Sequence, residues 1–323
     1  MLARLRPFVI ALVLLGAAVL VWFAFGWYGP ADLDEETSFV VKQGSSLTSV
    51  AGQLEDERII SSADGFLLRA KLLGSGDPVQ AGEFALQPDW SPADILDHLQ
   101  HGQPVQRFVT IPEGMPSVLV AERLAATPLL EGEVSAPPEG SVLPGTYAYE
   151  RGEPRSAVIE RMQAAMGQFL DEAWANRAAD TVAKSPAEAV TLASIVEKET
   201  GVARERRMVA GLYSNRVRQG MLLQADPTII YPITRGKPLG RRIRQSEIAA
   251  VNGYNTYTMV GLPTGPITNP GRESILAVLD PADTDAVFMV ADGTGGHAFA
   301  TTLEEHNRNV EKWFALRRER GEM

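Results

Sequence analysis

Leu192-Ala193-Ser194-Ile195-Val196-Glu197-Lys198-Glu199-Thr200 sets two carboxylates at the end of an apolar run. Desolvation by apolar neighbours raises a carboxyl pKa toward neutral pH, which is what general acid–base work requires. At 100° per residue, Ala189, Leu192, Ala193 and Val196 form one buried stripe. Glu197 lies on one shoulder of that stripe beside Val190, and Glu199 on the other beside Leu192. Lys198 points nearly opposite. The periodicity leaves both glutamates open as the reactive group, and a solvated Glu-Lys-Glu helix end fits the same pattern. A carboxylate at a helix C-terminus opposes the macrodipole, a small penalty that hints at a task for at least one of the two.

The other polar clusters fall in loops: Gln224-Ala225-Asp226-Pro227-Thr228, Tyr254-Asn255-Thr256-Tyr257, Gly261-Leu262-Pro263, Asn269-Pro270-Gly271, and His297 with Phe299. Tyr and Asn suit a sugar, one giving an apolar plate and the other a two-way hydrogen-bonding amide. Gln224, Asp226, Tyr254, Asn255 and His297 are therefore the candidates for orienting a sugar substrate. Each also has a plainer reading, since Asn-Pro-Gly is a turn signal and a His after two glycines can simply serve a hairpin. Asp292 to Gly296 is glycine-rich, but no Lys or Ser/Thr closes it into a phosphate loop. With no cysteine and four histidines (His98, His101, His297, His306), no metal site is expected.

The elements that must carry these residues are legible in part. Ser185-Pro186-Ala187-Glu188 opens a helix with a capping box and Pro at its first position, and that helix runs to Thr200 with Gly201 as a stop. A second helix is predicted from Ala203 to Gln219. Ala286 to Ala291 reads as a buried strand, Asp292 to Gly296 as a turn, His297 to Thr301 as its partner, and Thr302 to Glu305 as the cap of a last helix. Upstream, Phe39 to Ala51 reads as strand, Gly turn, hydroxyl N-cap and helix, with Leu47, Val50, Ala51 and Leu54 on one face. A helix at Phe66 to Leu73, a returning strand at Gly82 to Leu86 and a helix opened by Ser91-Pro92 follow. Arg107 to Ile111 alternates as a strand, Thr127 to Gly145 reads as a loop, and Ala157 to Ala178 as an amphipathic helix.

Phe8 to Tyr28 is a run of 21 residues without a charge. At about 1.5 Å per residue it spans roughly 31 Å, the thickness of a hydrocarbon core. Arg4 and Arg6 precede it, and Asp32, Asp34, Glu35 and Glu36 follow, which places the remainder outside a bacterial inner membrane. A cleaved signal peptide is the rival reading, with Ala24-Phe25-Gly26 as its site, although the run exceeds the usual h-region of about 7–15 residues. The 323 residues suggest about two domains. Lys+Arg 30 against Asp+Glu 40 gives a net charge of −10, which argues against nucleic-acid binding.

The strand–Gly–helix opening resembles a LysM module, a small βααβ fold that grips N-acetylglucosamine polymers, although Ser45 stands where those modules usually carry Asp. Taken together, Leu192 to Thr200, Leu223 to Thr228, Tyr254 to Tyr257, Gly261 to Pro263 and Gly295-Gly296-His297-Ala298-Phe299 resemble the MltG/YceG family of endolytic murein transglycosylases. Leu143-Pro144-Gly145-Thr146-Tyr147 departs from that family's Pro-Asp-Thr-Tyr. The resemblance implies that Glu197, the first glutamate of the Val-Glu-Lys-Glu stretch, is the catalytic acid. It would cleave the β-1,4 bond between N-acetylmuramic acid and N-acetylglucosamine within glycan strands. The products would carry 1,6-anhydro ends, no cofactor would be needed, and penicillin-binding peptidoglycan synthases would be partners.

The expected fold is α+β: a cytoplasmic tail (1–7), a transmembrane anchor (8–28), a linker (29–38), a LysM-like subdomain (39–106), an intermediate α/β segment (107–184) and a catalytic domain (185–323). Two alternatives stay open. A muramidase would add Asp226 or Glu199 as base or nucleophile, and a non-catalytic wall-binding protein would need no acid.

Overall fold

The computed structural model of the chain describes residues 2–322, with side chains from Ile10 to Glu322. The side chains of the expected cytoplasmic tail, Arg4 and Arg6 among them, lie outside those described. The chain divides into two compact units, residues 1–107 and 108–323.

The N-terminal unit begins with helix α1 (Leu2–Tyr28), whose segment Ile10–Tyr28 has a mean hydropathy of 2.4 and is long enough to cross a membrane. Its last turn is built into the unit, where the buried Trp27 packs on Phe66 with ring centroids 5.6 Å apart. There follow β1 (Thr37–Val41), α2 (Leu47–Asp56), α3 (Ala63–Leu73), β2 (Gly82–Leu86) and α4 (Pro92–His101). Serines set the helix starts: Ser46, Ser62 and Ser91 each accept a backbone N–H from the first turn, and Asp94 completes a capping box with Ser91. Strands β1 and β2 are antiparallel with Phe39 opposite Phe84. Both rings join Val50, Leu54, Phe66, Leu86, Ile95 and Leu99 in one core. The order is thus strand, helix, helix, strand, as the alternation and caps predicted.

The second unit is mostly helical. The division falls at the first residue of β3 (Arg107–Ile111), which pairs with β4 (Gly145–Tyr149). Helices α5 (Ser117–Ala126) and α6 (Arg155–Ala175) pack with that pair around Val109, Ile111, Val120, Leu124, Val158 and Met162. The sequence left α5 unassigned, and β4 begins where the predicted loop ends.

A larger core surrounds α7 (Pro186–Glu199), in which every residue from Ala189 to Val196 is buried. A helix apolar around most of its circumference belongs in the middle of a domain. Its neighbours are α6, α8 (Arg206–Arg218), which follows a short 3-10 turn at Ala203–Glu205, α9 (Asp226–Thr234) and α11 (Arg272–Leu279); the short α10 (Gln245–Ile248) lies between α9 and α11 in sequence. Antiparallel strands β5 (Phe288–Ala291) and β6 (His297–Ala300) and helix α12 (Leu303–Glu319) finish the chain.

Strand β5 is two residues shorter at its start than predicted, for a physical reason. The carbonyls of Thr284 and Ala286 accept from Asn215 Nδ2, and that of Val287 accepts from Arg216 Nε, so α8 side chains hold this stretch. Among the described residues the strands form three separate two-stranded sheets, so the architecture is mixed helix and strand without a central sheet.

Candidate active site

The C-terminal end of α7 separates the two glutamates decisively. Glu197 turns toward α11: its Oε2 accepts from the Gly271 backbone N–H at 2.9 Å and from Ser274 Oγ at 2.7 Å. It thereby caps the N-terminus of α11, where backbone N–H groups lack intrahelical partners and the dipole favours a negative charge. The backbone at Gly114 passes close by in the left-handed region, and a Cβ there would stand 3.3 Å from Glu197 Cγ.

Glu199 faces a different set of groups. Burial first, and then the negative charge of Asp226, raise its carboxyl from an ordinary 4.5 to about 7. The Arg216 guanidinium and the Tyr213 hydroxyl act in the opposite direction. Both come from α8, on which Tyr213 is buried and held well above its usual pKa by the same burial. Arg216 is 9% exposed, and burial lowers its pKa. Its fork donates to three backbone carbonyls: Val287 at 2.7 Å, Leu223 at 2.6 Å and Leu222 at 3.3 Å. The guanidinium is thereby fixed as a structural cation beside the acid.

Asp226 is exposed at the first residue of α9, and Tyr257 donates its hydroxyl to Asp226 Oδ1 at 2.6 Å. Gln224, two residues earlier, is also exposed. Its φ of 53° is the left-handed region that few non-glycine residues occupy. The strain is held by a threonine staple: Thr228 Oγ1 lies 2.8 Å from Thr256 Oγ1, and the Ala225 N–H donates to Thr256 Oγ1. The Gln224 N–H also donates to the Thr256 carbonyl. Both threonines stand in the polar clusters of the sequence, but their pairing is not legible there, because a buried hydroxyl pair 28 residues apart leaves no periodic signal.

Asn255 is fully buried, and its Nδ2 donates to the carbonyls of Glu247, Ile248 and Ala250 while its Oδ1 accepts from the Tyr257 N–H. Its amide is spent on the loop, so it shapes the site without an atom left to orient a sugar. Tyr254 is partly buried and packs on Tyr231, ring centroids 4.8 Å apart. Asn269 is likewise internal, donating to Met115 O and Ser117 Oγ and accepting from the Val142 N–H.

His297 opens β6 and is tied to Glu205, a residue the sequence reading passed over. Glu205 Oε1 accepts the His297 backbone N–H at 3.1 Å, and Oε2 lies 2.9 Å from Nδ1. A carboxylate on Nδ1 orients the ring and leaves Nε2 as the basic nitrogen. Thr200, next to Glu199, reaches the same Glu205 carboxylate at 3.5 Å. The hairpin is thus joined to the end of α7. No cluster of three or more His, Asp or Glu suited to a metal ion occurs among the described residues.

The YceG-like family matches residues 39–312. The chain belongs to this family. It is 27% identical to the "Endolytic murein transglycosylase" of Streptococcus pneumoniae (strain D39) over 84% of its length, spanning 57% of that relative. To the protein of the same name from Bacillus subtilis (strain 168) it is 25% identical, covering 90% of this chain and 89% of the relative. A crystal structure of a YceG-like protein from Listeria monocytogenes aligns with a TM-score of 0.51 at 27% identity, over 85% of this chain and 99% of the other. The match to the YceG-like family takes in both glutamates, Asp226, Tyr257 and His297 alike. Family membership by itself therefore does not choose between Glu197 and Glu199, whereas their surroundings differ sharply.

Proposed function

We propose that this chain is an endolytic murein transglycosylase in which Glu199 is the acid and base. The carrying observation is the Glu199 carboxyl at the C-terminal end of the buried helix α7, raised to about 7 by burial and by Asp226. A carboxyl that titrates near neutral pH is available in its protonated form to protonate the glycosidic oxygen between N-acetylmuramic acid and N-acetylglucosamine. As a carboxylate it then takes the proton of the muramic acid 6-hydroxyl, whose oxygen closes on C1. The proton lost equals the proton gained, no water is consumed, and a 1,6-anhydro end remains. Hydrolases that work through two carboxylates need the second at a defined separation. The cationic Arg216, fixed by its three carbonyls, stabilises the carboxylate stage.

This reading departs from the sequence expectation of Glu197, which has its own support in the family resemblance. The two are separated by Glu197→Gln and Glu199→Gln, assayed on purified glycan strands. Glu199→Gln is expected to lose about 10²–10⁴-fold in activity, the usual scale for a general acid–base group. Glu197→Gln is expected to lose less and to lower stability by loosening α11. The reverse ranking returns the acid to Glu197. Cleavage in heavy-oxygen water checks the chemistry: products free of label and about 18 Da lighter than hydrolysis products fit the transglycosylase, whereas labelled reducing ends fit a muramidase using Asp226.

The N-terminal strand–helix–helix–strand unit supports a LysM-like, glycan-gripping role. Helix α1 serves as a retained anchor with the rest of the chain in the periplasm. Its hydropathy, its length and the charge asymmetry of the flanks support this. Cleavage after Gly26 would also strip Trp22 and Phe23, on which Arg69 of the folded unit is stacked. A mature N-terminus near Trp27 in mass spectrometry would refute the anchor.

A further inference from the structure

Beyond α1, the N-terminal unit buries or half-buries its large apolar side chains with three exceptions among the described residues. Leu68, Leu72 and Leu73 on α3 are 54%, 62% and 43% exposed. They are not scattered. Leu68 and Leu72 are one helical turn apart, with Gly65, Arg69 and Leu73 beside them, while Phe66 and Ala70 turn into the core and Asp64 and Lys71 lie on the remaining side. A soluble surface seldom keeps three neighbouring leucines in water without a use for them.

The position of this face relative to α1 gives it an occupant. Arg69 donates Nε–H to the Phe23 carbonyl at 3.1 Å, and its guanidinium lies 5.3 Å from the Trp22 ring and 5.1 Å from the Phe23 ring. Trp27 packs on Phe66 of the same helix. These contacts fix α3 beside the segment from Trp22 to Tyr28, which carries Trp22, Phe23, Phe25, Trp27 and Tyr28. Aromatic residues at the end of an apolar helix mark the headgroup level of a bilayer. Phe23 lies about 7–8 Å short of the helix end at Tyr28 by the helical rise. Leu73 lines a cavity with Trp27 and Tyr28, so the α3 leucines lie beside the aromatic end of a helix whose outward residues Trp22 and Phe25 are themselves exposed. No carboxylate pairs with Arg69 among the described residues, so its charge is available to lipid phosphate, its stem lying against apolar surface.

We propose that the α3 face made by Leu68, Leu72 and Leu73 is inserted in the membrane interface beside α1, so that the N-terminal unit docks on the lipid surface in addition to being tethered to it. This rests on the anchor reading of α1 and goes beyond it, because a tether alone leaves α3 in water. An amphipathic face of this kind settles shallowly, with leucines in the acyl boundary and basic groups among the phosphates. Docking fixes the tilt of the unit at the membrane surface, and with it the height at which this unit meets glycan.

The absence of native cysteine makes the test clean. Full-length protein with Leu72→Cys, Val19→Cys or Asp56→Cys is labelled with an environment-sensitive fluorophore. Each is reconstituted in bilayers of phosphatidylethanolamine and phosphatidylglycerol carrying a nitroxide lipid. The label at position 72 should be quenched by the nitroxide roughly threefold or more above the one at position 56, and should emit to the blue of it. Position 19 reports the anchor. If position 19 is quenched while 72 matches 56, the docking proposal falls and the anchor stands. If position 19 is not quenched, both fall together.

Discussion

Tyr257 donates its hydroxyl to Asp226 Oδ1 at 2.6 Å, joining a loop to the start of α9 across 31 residues of sequence. Through Asp226 this bond also bears on Glu199, because the Asp226 charge raises the Glu199 carboxyl while the phenol holds that charge in place. The titration of the proposed acid is therefore set by groups on α8, α9 and the loop before residue 260, none of them adjacent to it in sequence.

Asp226→Asn removes the second-largest cause that holds Glu199 near pH 7. The basic limb of the kcat/KM profile should move to lower pH, with less activity at pH 7 and partial recovery below it. A limb that stays in place would mean that the acid titrating in the profile is not Glu199.

The same carboxyl makes stability depend on pH. Its folded pKa, about 7, lies above an ordinary 4.5, so the folded protein keeps a proton that the unfolded chain gives up in that interval. Stability from this group is fully present below about pH 4.5, falls as pH rises through the window, and levels off above pH 7. Glu199→Gln removes the titration. Its stability should approach that of the parent at pH 4.5 and exceed it at pH 8 by about 3 kcal/mol, read as a higher melting temperature. A gap independent of pH between those values would contradict the assignment.

Arg216→Met strips the donors from three carbonyls, at Leu222, Leu223 and Val287. Breaking such a buried charged network costs about 3–5 kcal/mol. Chemical denaturation should show this loss, together with a higher pKa for Glu199 once its neighbouring cation is gone.

Asn255→Asp sets a carboxylate against the carbonyls of Glu247, Ile248 and Ala250. It should destabilise more than Asn255→Ala, which leaves those carbonyls short of a donor at a cost of about 1–3 kcal/mol. Equal losses would show that water replaces the amide. If Asn255→Ala lowered affinity for glycan without loss of stability, Asn255 would be a sugar ligand and not a loop clamp.

Local chemistry made much of this protein readable in one dimension. Hydroxyl caps at Ser46, Ser91, Ser185 and Thr302 mark helix starts, because the first backbone N–H groups of a helix have no other partner. The alternation at Phe39 and Phe84, the glycines before His297 and the uncharged run to Tyr28 likewise act over a few residues. The family motifs are of the same kind, being short strings whose residue types survive without their partners.

The choice between Glu197 and Glu199 was of another kind. On a helical wheel both sit on shoulders of one stripe, and nothing within four residues tells them apart. What differs is what approaches each shoulder: Gly271 and Ser274 of α11 on one side, Tyr213, Arg216 and Asp226 on the other. Asn255 is a similar case, a residue typed for sugar contact whose every polar atom is turned inward by its own loop. Helix and strand follow from interactions that decay within a turn, whereas a carboxyl pKa depends on burial and on charges brought from distant segments. That is why the sequence narrows the proposed acid to two neighbouring glutamates, and the packing of α8, α9 and α11 around α7 is what favours Glu199 in our proposal.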